Sequence, residues 1–239
     1  MKFLLSVALF FITFFQYAQE ISAKELIKKT IEYHDPSGNW NSFNSIFKVV
    51  MATPNASDRT STISINLPAQ YFSVEATRDS ITTSYILDKN ECTMYYNDNI
   101  LDTAAAKEKN MSCDRANLYK NYYTYLYGLP MKLTDPGTNI DNEVLKRSFK
   151  GKDYLVVKVT YDKAVGNDIW YFYFNPENYA MEVYQFFKTD DSGKLIKDSG
   201  EYILLTEEST INGIKMPKVR AWYYNKDDKY LGTDTLYRN

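Results

Sequence analysis

From residue 43 onward the chain is written in short runs whose apolar residues recur at every second position. Asn, Asp, Gly, Pro or Ser closes each run. A period of two puts alternate side chains on opposite faces of an extended segment, so such a chain folds by pairing strand with strand. The first series is "FNSIFKVVMAT" (43–53), "RTSTISIN" (59–66), "QYFSVEAT" (70–77), "SITTSYILD" (80–88) and "ECTMYYN" (91–97). A second series follows a break: "EVLKRSFK", "KDYLVVKVTYD", "DIWYFYFN", "YAMEVYQFFK", "GEYILLTEEST", "KMPKVRAWYYN" and "KYLGTDTLY". The connections are short, as antiparallel neighbours require. Asn212-Gly213 is the strongest hairpin signal among them, because both residues tolerate positive φ. The expectation is one α+β domain, mainly antiparallel β, with about 11–12 strands. The 22 tyrosines agree with it, since Tyr favours half-buried pleated surfaces.

Several strands are apolar on both faces. In "IWYFYF", Trp170, Phe172 and Phe174 point one way while Ile169, Tyr171 and Tyr173 point the other. A sheet with one wet face would alternate cleanly, so both faces here are covered or enclose something apolar. A curved sheet around a cavity, a tightly filled barrel and a dimer contact all satisfy that condition.

Two segments keep helical spacing instead. "SAKE" at 22–25 is a capping box, and Leu26, Ile27, Thr30, Ile31 and His34 follow on one stripe until Asp35-Pro36 stops the ladder. Between the two strand series, "TAAAKEKN" reads as a short helix. "SCDRANLYKNYYTYLYGLP" reads as a longer one, with Ser112 as N-cap, Asp114 in the first turn, Gly128 as the stop and Pro130 beyond. Ala116, Tyr119, Tyr123 and Leu126 share its face, widened by Leu118, Tyr122 and Tyr125, a stripe that ordinarily means core packing.

The N-terminus "MKFLLSVALFFITFFQYAQE" has Lys2 before an apolar run at 3–15 and a small residue at Ala18. It reads as a secretory signal peptide spanning 1–18, cut between Ala18 and Gln19, leaving 19–239 as a single domain without a transmembrane helix. A retained anchor is the alternative, although the run is short for a bilayer span. The expected compartment is the periplasm or the exterior. A formal net charge of −2 gives no electrostatic case for nucleic acid. Cys92 and Cys113 are the only cysteines, and an oxidising compartment favours a bond between them over two buried thiols. Such a bond would contribute roughly 3 kcal/mol in the chain-entropy model.

Catalytic and metal chemistry find little support. His34 is the only histidine, and no G-x-S-x-G motif supplies a nucleophile for it. Its place in the last turn of the first helix reads as structural, donating to a terminal carbonyl and meeting the helix dipole. Asp135, Asn139, Asp141 and Glu143, and likewise Asp190 and Asp191, read as solvated loop acids that match no calcium-loop spacing. No metal site, cofactor or phosphate-binding loop is expected. Lys218, Arg220, Trp222 and Tyr224 interleave as on any ordinary strand. Asp79-Ser80-Ile81, Asp102-Thr103-Ala104 and Asp234-Thr235-Leu236 look like O-glycosylation acceptors of some envelope bacteria.

The layout resembles the LolA-like superfamily of outer-membrane lipoprotein-sorting proteins. Signal peptide, helix, strand series, helical insertion and second strand series come in that order, and "WYFYFNPENYAMEVYQF" is similar to its strand–turn–strand. "HDPSGNW", "YYTYLYGLPMKLTDPG" and "INGIKMPKVRAWYYN" resemble more closely an uncharacterised secreted family of Gram-negative envelope proteins, of the domain-of-unknown-function 6503 type. The resemblance implies an unclosed, curved antiparallel sheet, or half-barrel, with helices over its concave side. It implies a non-enzymatic protein that binds an apolar ligand there: an acyl chain, a lipid or a lipoprotein. The superfamily's gating arginine has no match in this sequence. The residues expected to line the concavity are Tyr122, Leu126, Trp170, Phe172, Phe174 and Trp222. An envelope hydrolase acting on glycan or ester, and a structural or partner-binding module, are the alternatives.

Overall fold

A computed structural model describes residues 21–238. The expected signal peptide, 1–18, and the expected cut after Ala18 lie outside the described residues. Helix α1 (Ala23–His34) opens the structure, and a short 3-10 turn (Asn39–Ser42) leads into the first strands. These are β1 (Asn44–Thr53), β2 (Ala56–Asn66), β3 (Tyr71–Arg78), β4 (Ile81–Asp88), β5 (Glu91–Tyr96) and β6 (Asn99–Ile100). Helices α2 (Thr103–Glu108) and α3 (Cys113–Gly128) follow, then a 3-10 turn (Met131–Thr134). The second series is β7 (Thr138–Phe149), β8 (Lys152–Tyr161), β9 (Ile169–Phe174), β10 (Met181–Phe187), β11 (Glu201–Ile211), β12 (Ile214–Tyr224) and β13 (Tyr230–Arg238).

All 13 strands form one open, mainly antiparallel sheet in the order β6-β5-β4-β3-β2-β1-β13-β12-β11-β10-β9-β8-β7. Each series is a meander. The first runs outward from β1; the second starts at the far edge and works back until β13 pairs with β1. The chain's first and last strands therefore make the central seam.

The helices begin where the sequence says. The Ser22 hydroxyl accepts from the amide of Glu25 at 3.2 Å, and Ser112 does the same for Arg115 at 3.2 Å. Asp102 caps α2 through the amide of Ala105 at 2.8 Å. Gly128 ends α3 for a reason beyond helix termination: a Cβ there would lie 2.2 Å from the Trp40 ring. Helix α3 is laid across the sheet. A disulfide joins Cys113 at its first residue to Cys92 on β5, and its tyrosines meet Tyr85 on β4, Phe72 on β3 and Phe47 on β1. Phe47, Ile63, Phe72, Phe172 and Phe174, all buried, make the core between helix and sheet.

A second, smaller core lies on the other face. The β7–β8 hairpin puts Phe149 against Tyr173 and Tyr202, with Tyr154 buried beside them. Lys150 reaches Asp228 at 2.8 Å and Lys152 reaches Glu182 at 2.6 Å. Those contacts cover part of the outward faces of β9 and β11.

Two readings of the sequence need correcting. Residues 138–142 belong to β7, so Asn139, Asp141 and Glu143 stand on an edge strand and not in a loop. A register shift between Ile140 and Val144 lets that polar stretch sit in the ladder. The two-residue β6 carries no periodic signal at all.

Candidate functional site

His34 is settled by its geometry. It is 1% exposed, and its Nδ1 lies 2.7 Å from the carbonyl of Lys215 on β12. The amide of Met181 on β10 donates to Nε2 at 3.0 Å, which fixes the tautomer with the proton on Nδ1. Burial pushes its pKa below the ordinary histidine value, with the Lys215 carbonyl opposing. So His34 is a neutral tie from α1 to two strands. It does not cap its own helix or serve the dipole as a cation, contrary to the expectation from sequence. Asp35 takes the capping task for the next element, accepting from the amides of Asn39 at 2.7 Å and Trp40 at 2.8 Å.

The carboxylates at 135–143 and 190–191 do not converge on a site. Asp135 pairs with Lys132, Asp141 lies 3.9 Å from Lys158, and Asp190 closes its own exposed turn through the amides of Ser192 and Lys194. Among the described residues no group of acids, His and Cys could hold a metal ion. Asp79-Ser80-Ile81 and Asp102-Thr103-Ala104 are exposed, whereas Thr235 lies inside β13, paired on both sides.

The aromatic residues do converge, around the C-terminal half of α3. Tyr125 meets Trp170 edge-on at 5.7 Å and shares a hydroxyl contact with Tyr161. Tyr122 lies parallel to Trp222 at 6.5 Å, and Tyr184 contacts both Trp170 and Trp222. These rings wall two openings that both border Tyr122. A cleft of about 570 Å³ runs between α3 and the β8–β9 loop, lined by Tyr122, Tyr125, Tyr161 and Trp170. A smaller pocket of about 150 Å³ is lined by Met51, Tyr122, Glu201, Trp222 and Asp234. Tyr122, 40% exposed, is common to both.

Of the six residues expected to line the concavity, Tyr122, Trp170 and Trp222 reach these openings. Leu126, Phe172 and Phe174 are buried in the core and border neither. Much of the concavity is filled by α3's own Tyr123 and Tyr127. Space remains beside Tyr122, and a further cleft of about 760 Å³ lies away from α3, between α1 and the start of β7, lined by Ile27, Ile31, Leu133 and Ile140.

Beneath the helix sits a residue the sequence left as an ordinary strand arginine. Arg220 is 1% exposed, its guanidinium over the Tyr127 ring at 4.0 Å. It donates to the carbonyl of Pro217 at 2.9 Å and, more loosely, to that of Leu126 on α3 at 3.4 Å. Asp234 on β13 is its direct cross-strand partner. Burial raises the Asp234 carboxyl above the usual range, partly offset by Arg220 and Arg59. Burial likewise pushes up the hydroxyls of Tyr127 and Tyr184. Parity was the available signal: counted by twos from Ile214 and Met216, Arg220 faces inward.

No described helix is long and apolar enough to cross a membrane. Among solved structures, a LolA superfamily protein from Nitrosomonas europaea superposes with a TM-score of 0.52 at 12% identity, over 91% of this chain and 92% of that one. The fold is therefore LolA-like. A DUF1329 family protein from Desulfovibrio piger gives 0.48 at 7% identity over 90% of each chain. No curated protein matches in sequence. A sequence profile of the family of unknown function DUF6503 matches residues 2–239, and the chain belongs to that family.

Proposed function

We propose that this is a non-enzymatic envelope protein, periplasmic or secreted, that binds an apolar ligand such as an acyl chain, lipid or lipoprotein beside α3. The observation that carries the reading is the aromatic cleft of about 570 Å³, which falls among the volumes of ordinary ligand sites. Tyr122, Tyr125, Tyr161 and Trp170 form its apolar wall, and Lys132, Asp135, Asn167 and Asp168 share the lining. The LolA-like fold supports the same reading by analogy of architecture, which is a weaker warrant than the cleft itself. Each methylene buried there would contribute about 0.8 kcal/mol, so a long chain is held through purification. A hydrolase reading finds no support in His34, whose two ring nitrogens are both engaged by main-chain groups.

Native mass spectrometry of protein isolated from its own envelope tests the proposal. A lipid adduct, together with saturable uptake of a fluorescent fatty acid by the stripped protein, is the expected result. Trp170→Ala, which removes one wall of the cleft, should weaken uptake at least about tenfold. A bare protein mass with no uptake rules the proposal out.

A further inference from the structure

Two clefts of this molecule share a border. The aromatic cleft beside α3 and the cleft of about 760 Å³ between α1 and β7 are both lined by Asp135 and Thr138. The second cleft has an apolar floor: Ala23, Ile27 and Ile31 from α1, Leu133 from the 3-10 turn and Ile140 from β7. Steps of four from Ala23 to Ile31 keep those side chains on one helical stripe. Ile31 and Ile140 are only half-buried, so the protein's own packing leaves part of that floor uncovered. The bulge of β7 falls at the same wall, between Ile140 and Val144, with Asn142 in the lining. A bulge bends its strand and re-aims side chains, and here the irregular stretch of β7 is the one that borders the gap.

What divides the two clefts is polar. Lys132, which lines the aromatic cleft, pairs with Asp135, which lines both. The Thr138 amide donates to the Asp135 carbonyl at 3.2 Å and closes the divide into a turn. The Lys132 and Asp135 side chains keep 26% and 41% of their surface open, so a ligand can reach the pair. One unbroken hydrocarbon chain laid across this divide would strip water from the ion pair and return no hydrogen bond. An occupant with polar groups at the divide and hydrocarbon on either side avoids that cost. The Lys132 ammonium and the Thr138 hydroxyl can donate to ester or amide carbonyls, and the Asp135 carboxylate can accept from a hydroxyl or an amide N–H.

We propose that the two clefts form one site for a lipid in which two hydrocarbon chains leave a single polar junction, as in diacylglycerol lipids. One chain lies against Tyr125 and Trp170, the other along Ile27, Ile31 and Ile140, and the junction sits at Lys132, Asp135 and Thr138. This rests on the apolar-ligand reading above; it adds the α1–β7 cleft to the site and fixes how the ligand branches. Burial scales with the hydrocarbon each cleft covers, so the second chain gains affinity only through the α1–β7 wall.

Displacement of a fluorescent fatty acid from the whole protein by 1-octanoylglycerol, 1,2-dioctanoylglycerol and 1-palmitoylglycerol tests it. The last two carry the same number of acyl carbons, on two chains and on one. Dioctanoylglycerol should bind one per protein by native mass spectrometry and at least about tenfold tighter than octanoylglycerol. Ile31→Glu, at a half-buried position on the α1–β7 wall, should weaken dioctanoylglycerol about tenfold and leave palmitoylglycerol within about twofold, which also reports a folded protein. Ile140→Gln repeats the test from the opposite wall. Variants that weaken both glycerides alike, or neither, overturn the two-chain site and leave apolar binding standing. Two dioctanoylglycerols per protein would show separate clefts and overturn it as well. Glycerides that fail to displace a fatty acid the protein does take up overturn it too, whereas a protein that binds neither fatty acid nor glyceride sinks the underlying reading.

Discussion

His34 holds α1 to the sheet through two main-chain groups, the Lys215 carbonyl and the Met181 amide. Replacing it with Gln removes the fixed geometry that reaches both strands. Leaving one or both buried groups unsatisfied should cost about 3 kcal/mol, read as a lower urea midpoint at unchanged m. The pH dependence has a definite sign. Because burial lowers the folded pKa below 6.5, both states are neutral above that pH and His34 adds no slope. As pH falls below 6.5 the unfolded chain takes up the proton first, so stability drops until the folded value is passed. His34→Gln should lose that acid-side slope, and since the chain has 1 histidine the subtraction is clean. A variant that keeps the wild-type slope between pH 6.5 and 5.5 contradicts the assignment.

At the scale of elements, α3 is fixed at both ends by different means: the Cys92–Cys113 disulfide at its start, and Gly128 seated on Trp40 at its close. The bond spans 21 residues, and its removal in the double variant Cys92→Ala, Cys113→Ala should cost roughly 3 kcal/mol in the chain-entropy model. Urea melts of that variant against the oxidised protein measure it, and an unchanged midpoint would show that the tether adds no stability. Such elements were legible in the sequence to very different degrees. The strands showed because alternation is a local property, and α3 showed through its Ser112 cap and its aromatic stripe. The first half of β7 did not, since Asp141-Asn142-Glu143 has loop composition and is tolerated only at a bulge on an edge. Arg220 was visible as a residue but not as a buried one. Its meaning depends on Asp234 and Arg59, which the register brings alongside from strands distant in sequence. The lining residues divided for a related reason. Phe172 and Phe174 share parity with Trp170, yet whether a residue on that face meets a cleft or a packed neighbour is decided by where α3 lies across the sheet.

For the whole molecule, the decisive pairing is the seam of β1 with β13, which joins the two meanders edge to edge. Each half loses its inner neighbour if the seam opens, so its amides should exchange only by global unfolding. The edges are built differently. The two-residue β6 and the bulged, largely exposed β7 are free on one side and should exchange by local opening. Native-state hydrogen exchange therefore ought to rank Val49 and Leu236 among the slowest amides and β7 well below them; the reverse order would refute the seam as the stability centre. Helix α3 is the informative case between these limits. Its C-terminal half touches both meanders, through Phe47 on one side and Trp170 and Trp222 on the other. If its amides exchange faster than the seam, the helix lifts within the folded ensemble and a ligand can enter along it. If they exchange only with the seam, entry beneath the helix would require unfolding. The cleft beside α3 would then accept only what fits its flank as it stands.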